Sequence, residues 1–148
     1  MIKLTDEMRN MINPALANGC PCILASVSGD GEPDIGYKGS MMIFDDGSLA
    51  YWERTRRQHL KNVKENSNVI VLFRDAKTRV GLRFHGKAEV HEQGALRDQV
   101  MAKTVKDELD KDPVNQRWQA FMGRLFEPVP DKQNGERFAM MKEVFYLE

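Results

Sequence analysis

Residues 22–52 read CILASVSGDGEPDIGYKGSMMIFDDGSLAYW. Apolar runs rich in Ile, Val, Leu and aromatic side chains are cut by the clusters GDGEP and DDGS. Both clusters are turn chemistry: Gly tolerates positive φ, and Asp hydrogen-bonds its own backbone two residues on. The pattern predicts strands over CILASVS, PDIGYKGSMMIF and LAYW. Connections this short join antiparallel neighbours, because a parallel pair needs a crossover of about a dozen residues or more.

Further along, NVIVLF, the turn RDAKT and the long run RVGLRFHGKAEV continue the pattern. Residues 22–91 thus hold five strand candidates, interrupted by one helical stretch over 55–66. Closing such a sheet would remove its exposed edges, which favours a small barrel. The final segment RFAMMKEVFYL supplies a last strand, giving an α+β fold around a six-stranded barrel.

The flanks read as helices. Met8, Met11, Ile12, Ala15 and Leu16 follow the spacing of one apolar helix face, with Asn13 and Pro14 as the cap and first turn of a second short helix. Two more helical segments are expected at 94–110 and 114–126, the latter presenting Val114, Trp118, Phe121, Met122 and Leu125 on one face. EPVPDKQNGE is loop chemistry, and residues 1–148 form a single domain with no internal repeat.

Composition limits the function classes. With 148 residues, 41% hydrophobic and 30% charged, the chain reads as soluble and globular. Lys+Arg and Asp+Glu are 22 each, so no general basic field draws it to nucleic acid or anionic lipid. No apolar run approaches the roughly 20 residues of a membrane span, and MIKLTDEMRN lacks signal-peptide character. The cytoplasm is the expected location. Cys20 and Cys22 are too closely spaced for an ordinary disulfide or redox pair, and His59, His85 and His91 show no ligand spacing with them. They are read as buried or half-buried structural thiols, and no metal is expected.

One stretch departs from this balance. YWERTRRQHLKNV, residues 51–63, carries Arg54, Arg56, Arg57, His59 and Lys61. Thr55 and Gln58 have capping-box spacing, which would start a helix at Arg56. Arginines in a first turn oppose the helix dipole, so they make sense where an anion sits on the free backbone N–H groups. A solvated basic face accounts for them equally well. A nucleic-acid groove is disfavoured because the charge is compact.

The order of helix, strand, GDGEP, strand with YKGS, DDGSLAYW, basic helix start, LKNVKENSNVIVLF and GLRFHGKAEV resembles the pyridoxamine 5'-phosphate oxidase-like FMN-binding split-barrel family. The resemblance covers roughly residues 5–92 plus the final strand. It rests on the G-x-P turn, the acidic-Gly turn before an aromatic-ended strand, the passage Asn62, Asn66, Val69, Val71, and Gly86 within a long strand. It implies a six-stranded antiparallel split β-barrel (Greek key) with flanking helices. It also implies FMN held between the subunits of a homodimer, and oxidation or reduction of a small molecule. The strand along the flavin would be Tyr37, Lys38, Gly39, Ser40, Met41 and Met42. Trp52 and Glu53 would lie by the ring or ribityl chain, and Arg57, Gln58 and His59, with Arg56 beside them, would seat the phosphate. Relatives use the deazaflavin F420 or haem in the same fold, and a non-catalytic flavin carrier or sensor is a further alternative.

The chain departs from the oxidase itself in several places. Arg57-Gln58-His59 stands where the oxidase has Ser-Arg-Lys, Tyr37 and Met42 replace a strand arginine and lysine, and Gly81 replaces a flavin-reaching glutamine. The oxidase's C-terminal Trp- and Arg-bearing segment has no counterpart, with Trp118 a candidate substitute. Pyridoxamine phosphate is therefore not the expected substrate. Lys38 is a candidate for the N1/O2 edge of a flavin, although a surface position on an edge strand is the commoner fate of such a lysine. Arg83 and His85 share one strand face, where His85 is read as structural.

Overall fold

The computed structural model describes residues 3–53, 57–106, 108, 119–124 and 145–146. In chain order the elements are α1 (Asp6–Ile12), β1 (Cys22–Val27), β2 (Pro33–Lys38), β3 (Met42–Asp45), β4 (Ser48–Glu53), α2 (Gln58–Glu65), β5 (Asn68–Asp75), β6 (Val80–His91), α3 (Ala95–Lys103), β7 (Gln119–Arg124) and β8 (Phe145–Tyr146). All strand pairs are antiparallel, and their order is β2-β1-β5-β6-β7-β4-β3, with β8 also on β6. The expected antiparallel α+β architecture is the one observed.

The two ends of this path are consecutive in sequence. β2 and β3 are separated only by residues 39–41, where the Met41 N–H donates to the Lys38 carbonyl at 3.3 Å. A connection that short requires the sheet to curl, bringing the end of β2 close to the start of β3. It also divides PDIGYKGSMMIF, read as one strand, into two.

The other strand beyond expectation is β7. Residues 119–124 lie inside the helix expected at 114–126, yet they form a ladder with both β4 and β6. The apolar spacing fits a helix face, but β4 and β6 would otherwise leave backbone donors and acceptors unpaired. Tertiary pairing overrides the local signal. The helix expected at 94–110 breaks after α3 ends at Lys103, with Thr104 Oγ1 donating back to the Val100 carbonyl at 2.7 Å, while residues 106 and 108 are again helical. Of the last expected strand, Phe145–Tyr146 pair with β6 at Gly81 and Val80. The rest of that segment lies outside the described residues.

Helix α1 starts as its sequence dictates. Thr5 Oγ1 accepts from the Met8 N–H at 3.2 Å, and Asp6 and Glu7 complement the positive end. Asn13 does not cap a second helix. It is the C-cap of α1, and its Oδ1 accepts from the Ile43 N–H at 2.8 Å, so its side chain serves β3 instead.

Two apolar clusters flank β4. Leu49 and Tyr51 face the main core with Leu24, Ile43, Phe73, Leu82, Met8 and Ile12. Ala50 and Trp52 face a smaller cluster with Met42 and Val100 of α3. Each fully buried large side chain contributes about 1.5–3 kcal/mol relative to exposure. Every β4 residue is buried, so its last member, Glu53, ends inside the protein at 2% exposure. No helix among the described residues is long and apolar enough to cross a membrane. Cys20 and Cys22 are free thiols, and burial, with Cys20 adding to it, pushes Cys22 up to about 12.

Candidate functional site

A polar cluster forms where the end of β2, the end of β4 and the start of α2 converge. Lys38 Nζ donates to Glu53 Oε2 at 2.8 Å, and both side chains are buried. The same Oε2 accepts from the Tyr51 hydroxyl at 3.0 Å, and the Lys38 ammonium lies 4.9 Å from the centre of the Tyr51 ring. Tyr51 and Glu53 are two apart on a strand, so they share a face. Burial first, then the Glu53 charge and hydrogen bond, hold the Tyr51 phenol well above its ordinary value. It therefore stays protonated and donates. Lys38 has three donors, and among the described residues Glu53 is its only hydrogen-bond acceptor.

The second half of the cluster belongs to α2. His59 Nδ1 lies 2.7 Å from Ser26 Oγ, and Asn62 Nδ2 donates to the same oxygen at 3.0 Å. With Asn62 supplying one hydrogen, the Ser26 hydroxyl is free to donate its own to Nδ1. That leaves the proton of a neutral imidazole on Nε2, facing Asp34 Oδ2 at 3.7 Å. Burial first, then the Lys38 charge, push the His59 pKa down, while Asp34 and Glu53 act in the opposite sense. His59 is thus neutral near pH 7. Its position depends on Gly36, where an added Cβ would stand 2.9 Å from Nε2.

The start of α2 has an open end. Arg57 is the N-cap, no side chain among the described residues caps the helix, and its first turn has no acidic residue. The capping box expected from Thr55 and Gln58 does not set the helix start, because the N-cap is Arg57; the Gln58 amide donates forward to Asn62 Oδ1 at 2.7 Å. The helix starts at Gln58, not at Arg56, while Thr55 and Arg56 lie outside the described residues.

The residues singled out in the sequence thus separate. Lys38, Glu53 and His59 come together, and Lys38 is buried despite its edge strand, correcting the surface reading. Ser40 fixes the neighbouring turn to β4: its Oγ accepts from the Trp52 N–H at 2.9 Å and donates to the Trp52 carbonyl at 3.1 Å. Gly39 is approached by Glu108, whose Oε1 would be 3.0 Å from a Cβ there. Arg57 and Gln58 are exposed at the helix start. Tyr37 faces outward at 73% exposure, whereas Met41 and Met42 enter the two different cores. Trp52 is buried, with the Arg97 guanidinium 4.8 Å from its ring centre. Sequence reading missed Tyr51, Ser26 and Asp34 as members of the cluster. The i, i+2 relation of Tyr51 to Glu53 was the one available signal.

Comparison with known proteins gives the family. The pyridoxamine 5'-phosphate oxidase family model matches residues 4–138. HupZ from Group A Streptococcus is similar, with 28% identity, 89% of this chain and 96% of that chain covered, and a TM-score of 0.66. A Lactobacillus delbrueckii protein provisionally named a pyridoxamine 5'-phosphate oxidase has 29% identity, coverage of 84% and 91%, and a TM-score of 0.63. An FMN-binding protein from Syntrophomonas wolfei shares the fold at 14% identity, with coverage of 80% and 83% and a TM-score of 0.58. No curated protein matches the chain. The chain belongs to the pyridoxamine 5'-phosphate oxidase family.

Proposed function

We propose that this family member binds FMN and is an oxidoreductase acting on a small molecule. The observation that supports it most is the uncapped start of α2, with Arg57 at its N-cap, beside the buried Lys38–Glu53–His59 cluster. An open helix N-terminus offers N–H groups to a phosphate, and an exposed guanidinium adds a charge-assisted pair. Arg57, the first-turn backbone and Gln58 would hold the phosphate, with Arg56 alongside. Lys38 fits a ring carbonyl or ring anion, since a buried ammonium with further N–H groups calls for acceptors. Gly39 and Ser40, the latter bonded to the Trp52 backbone, would present backbone along the ring. Bound FMN supplies the electron-transfer chemistry, and the chain supplies position, charge and exclusion of water. His59, being neutral, orients the helix start and adds no charge to the phosphate seat.

The reading includes a homodimer. Ile35 and Tyr37 are exposed at 68% and 73% on the outer face of β2. They stand opposite Ala25 and Ile23, which in turn stand opposite Ile70 and Leu72 of β5. This apolar face, with a cavity of about 420 Å³ among Ala25, Val27, Pro33, Ile70 and His85, suits a second copy, and FMN would lie at its margin. Two free thiols fit a reducing compartment such as the cytoplasm.

The test is the absorbance and mass of the ligand released on denaturation. FMN is expected, with a band at about 450 nm. A band at about 420 nm would assign a deazaflavin, and a Soret band haem. Colourless protein that gains no stability from added FMN and leaves its fluorescence unchanged would overturn the reading.

A further inference from the structure

We propose that Tyr51 is a positioning residue of this site, acting through Glu53 to set how much of the Lys38 charge reaches the ligand. The inference rests on the FMN reading above. It starts from a shared atom: Glu53 Oε2 accepts both the Lys38 ammonium at 2.8 Å and the Tyr51 hydroxyl at 3.0 Å. Tyr51 is 1% exposed and Glu53 2%, so water does not compete for that oxygen.

A hydrogen donated by Tyr51 draws charge from Oε2 and loosens its compensation of Lys38. The Tyr51 ring meanwhile lies under the cation at 4.9 Å, holding the ammonium without offering it an acceptor. Hydroxyl and ring therefore have separable effects. Lys38 keeps N–H groups that no described residue accepts, so its net charge is directed outward from the pair.

Reduced FMN carries one more negative charge on its ring than oxidised FMN, having taken two electrons and one proton. A site with a stronger net positive field binds the reduced form in preference. Two substitutions at the shared oxygen then act in opposite directions. Glu53→Gln removes the compensating charge and raises the preference for reduced FMN by at least about tenfold, equivalent to about 30 mV for a two-electron couple. Tyr51→Phe keeps the ring, removes one hydrogen donated to Oε2, so that the carboxylate compensates Lys38 more strongly, and lowers that preference by about threefold. A residue that merely supported the fold would shift both variants the same way.

The experiment measures the midpoint potential of FMN bound to purified wild type, Tyr51→Phe and Glu53→Gln against a reference dye. The dissociation constant of oxidised FMN is measured in parallel by fluorescence quenching. Opposite shifts are expected, with Tyr51→Phe negative. Tyr51→Phe is near-isosteric and decides the matter alone if Glu53→Gln fails to fold: an unchanged or more positive potential overturns the proposal. Wild type that does not bind FMN overturns the underlying reading as well. Normal FMN binding without the Tyr51 shift overturns only this inference.

Discussion

Lys38 Nζ and Glu53 Oε2 lie 2.8 Å apart, although β2 ends one side of the strand path and β4 stands next to its other end. No ladder joins these strands among the described residues, so the ion pair crosses the interior of the curled sheet. It ties together the two places where an open sheet would part.

Breaking that pair from one side should be costly. Lys38→Met takes the Lys38 ammonium from the buried Glu53 carboxylate, and a loss of about 3–5 kcal/mol is expected. Lys38→Met combined with Glu53→Leu should recover much of it, because two apolar groups replace two charges. Urea unfolding of the three proteins measures both effects. Equal losses in the single and double variants would show that the pair itself, and not the stranded carboxylate, sets the cost.

Arg57 is exposed at the α2 N-cap, so its replacement should spare the fold. Arg57→Glu places a negative charge where the phosphate is proposed to sit, and FMN affinity should fall by at least about tenfold. Riboflavin, which lacks the phosphate, should be affected far less. Fluorescence titration with both ligands separates a phosphate contact from a general loss of the site.

The depressed pKa of His59 makes stability depend on pH. The native state resists protonating this imidazole, while the unfolded chain protonates it near its ordinary value of about 6.5. The unfolded state then binds more protons, so its contribution is fully present above that value. It is lost as pH falls from about 6.5 through the lower folded-state pKa. His59→Gln should flatten this part of the stability curve. Denaturation midpoints at several pH values below neutrality check it, and an unchanged slope in the variant would assign the dependence to another group.

Gly36 and His59 should be coupled. A Cβ at residue 36 would meet Nε2 at 2.9 Å, so Gly36→Ala displaces the imidazole and disturbs its contact with Ser26. A loss of about 1–3 kcal/mol is expected from the strain. In a His59→Ala background the same substitution should cost little, since the obstructing ring is gone. Additive losses in a double-mutant cycle would mean that Gly36 matters for another reason.

Much of this was legible in the residues. Turn clusters GDGEP and DDGS marked the end of β1, the start of β2, the end of β3 and the start of β4, because Gly and Asp chemistry acts over two or three residues, whereas the break between β2 and β3 was not read. The Thr5 cap and acidic first turn of α1 are equally local, although the sequence reading did not single them out. Residues 119–124 were not legible, since their apolar spacing suits a helix and only the open edges of β4 and β6 made them a strand. Gln58 misled as well: the capping-box spacing was present, but the helix begins at Gln58 with Arg57 as its N-cap.

By itself the sequence determined an antiparallel α+β chain and drew attention to Lys38, Glu53 and His59. Alternation, turn chemistry and the order of motifs are properties of neighbouring residues, and they survive without knowledge of the fold. Only the tertiary structure decided that Lys38 is buried, that it shares a carboxylate oxygen with Tyr51, and that His59 is held neutral by burial and by the Lys38 charge. Those facts depend on which distant strands meet when the sheet curls, and on how much water is excluded where they do.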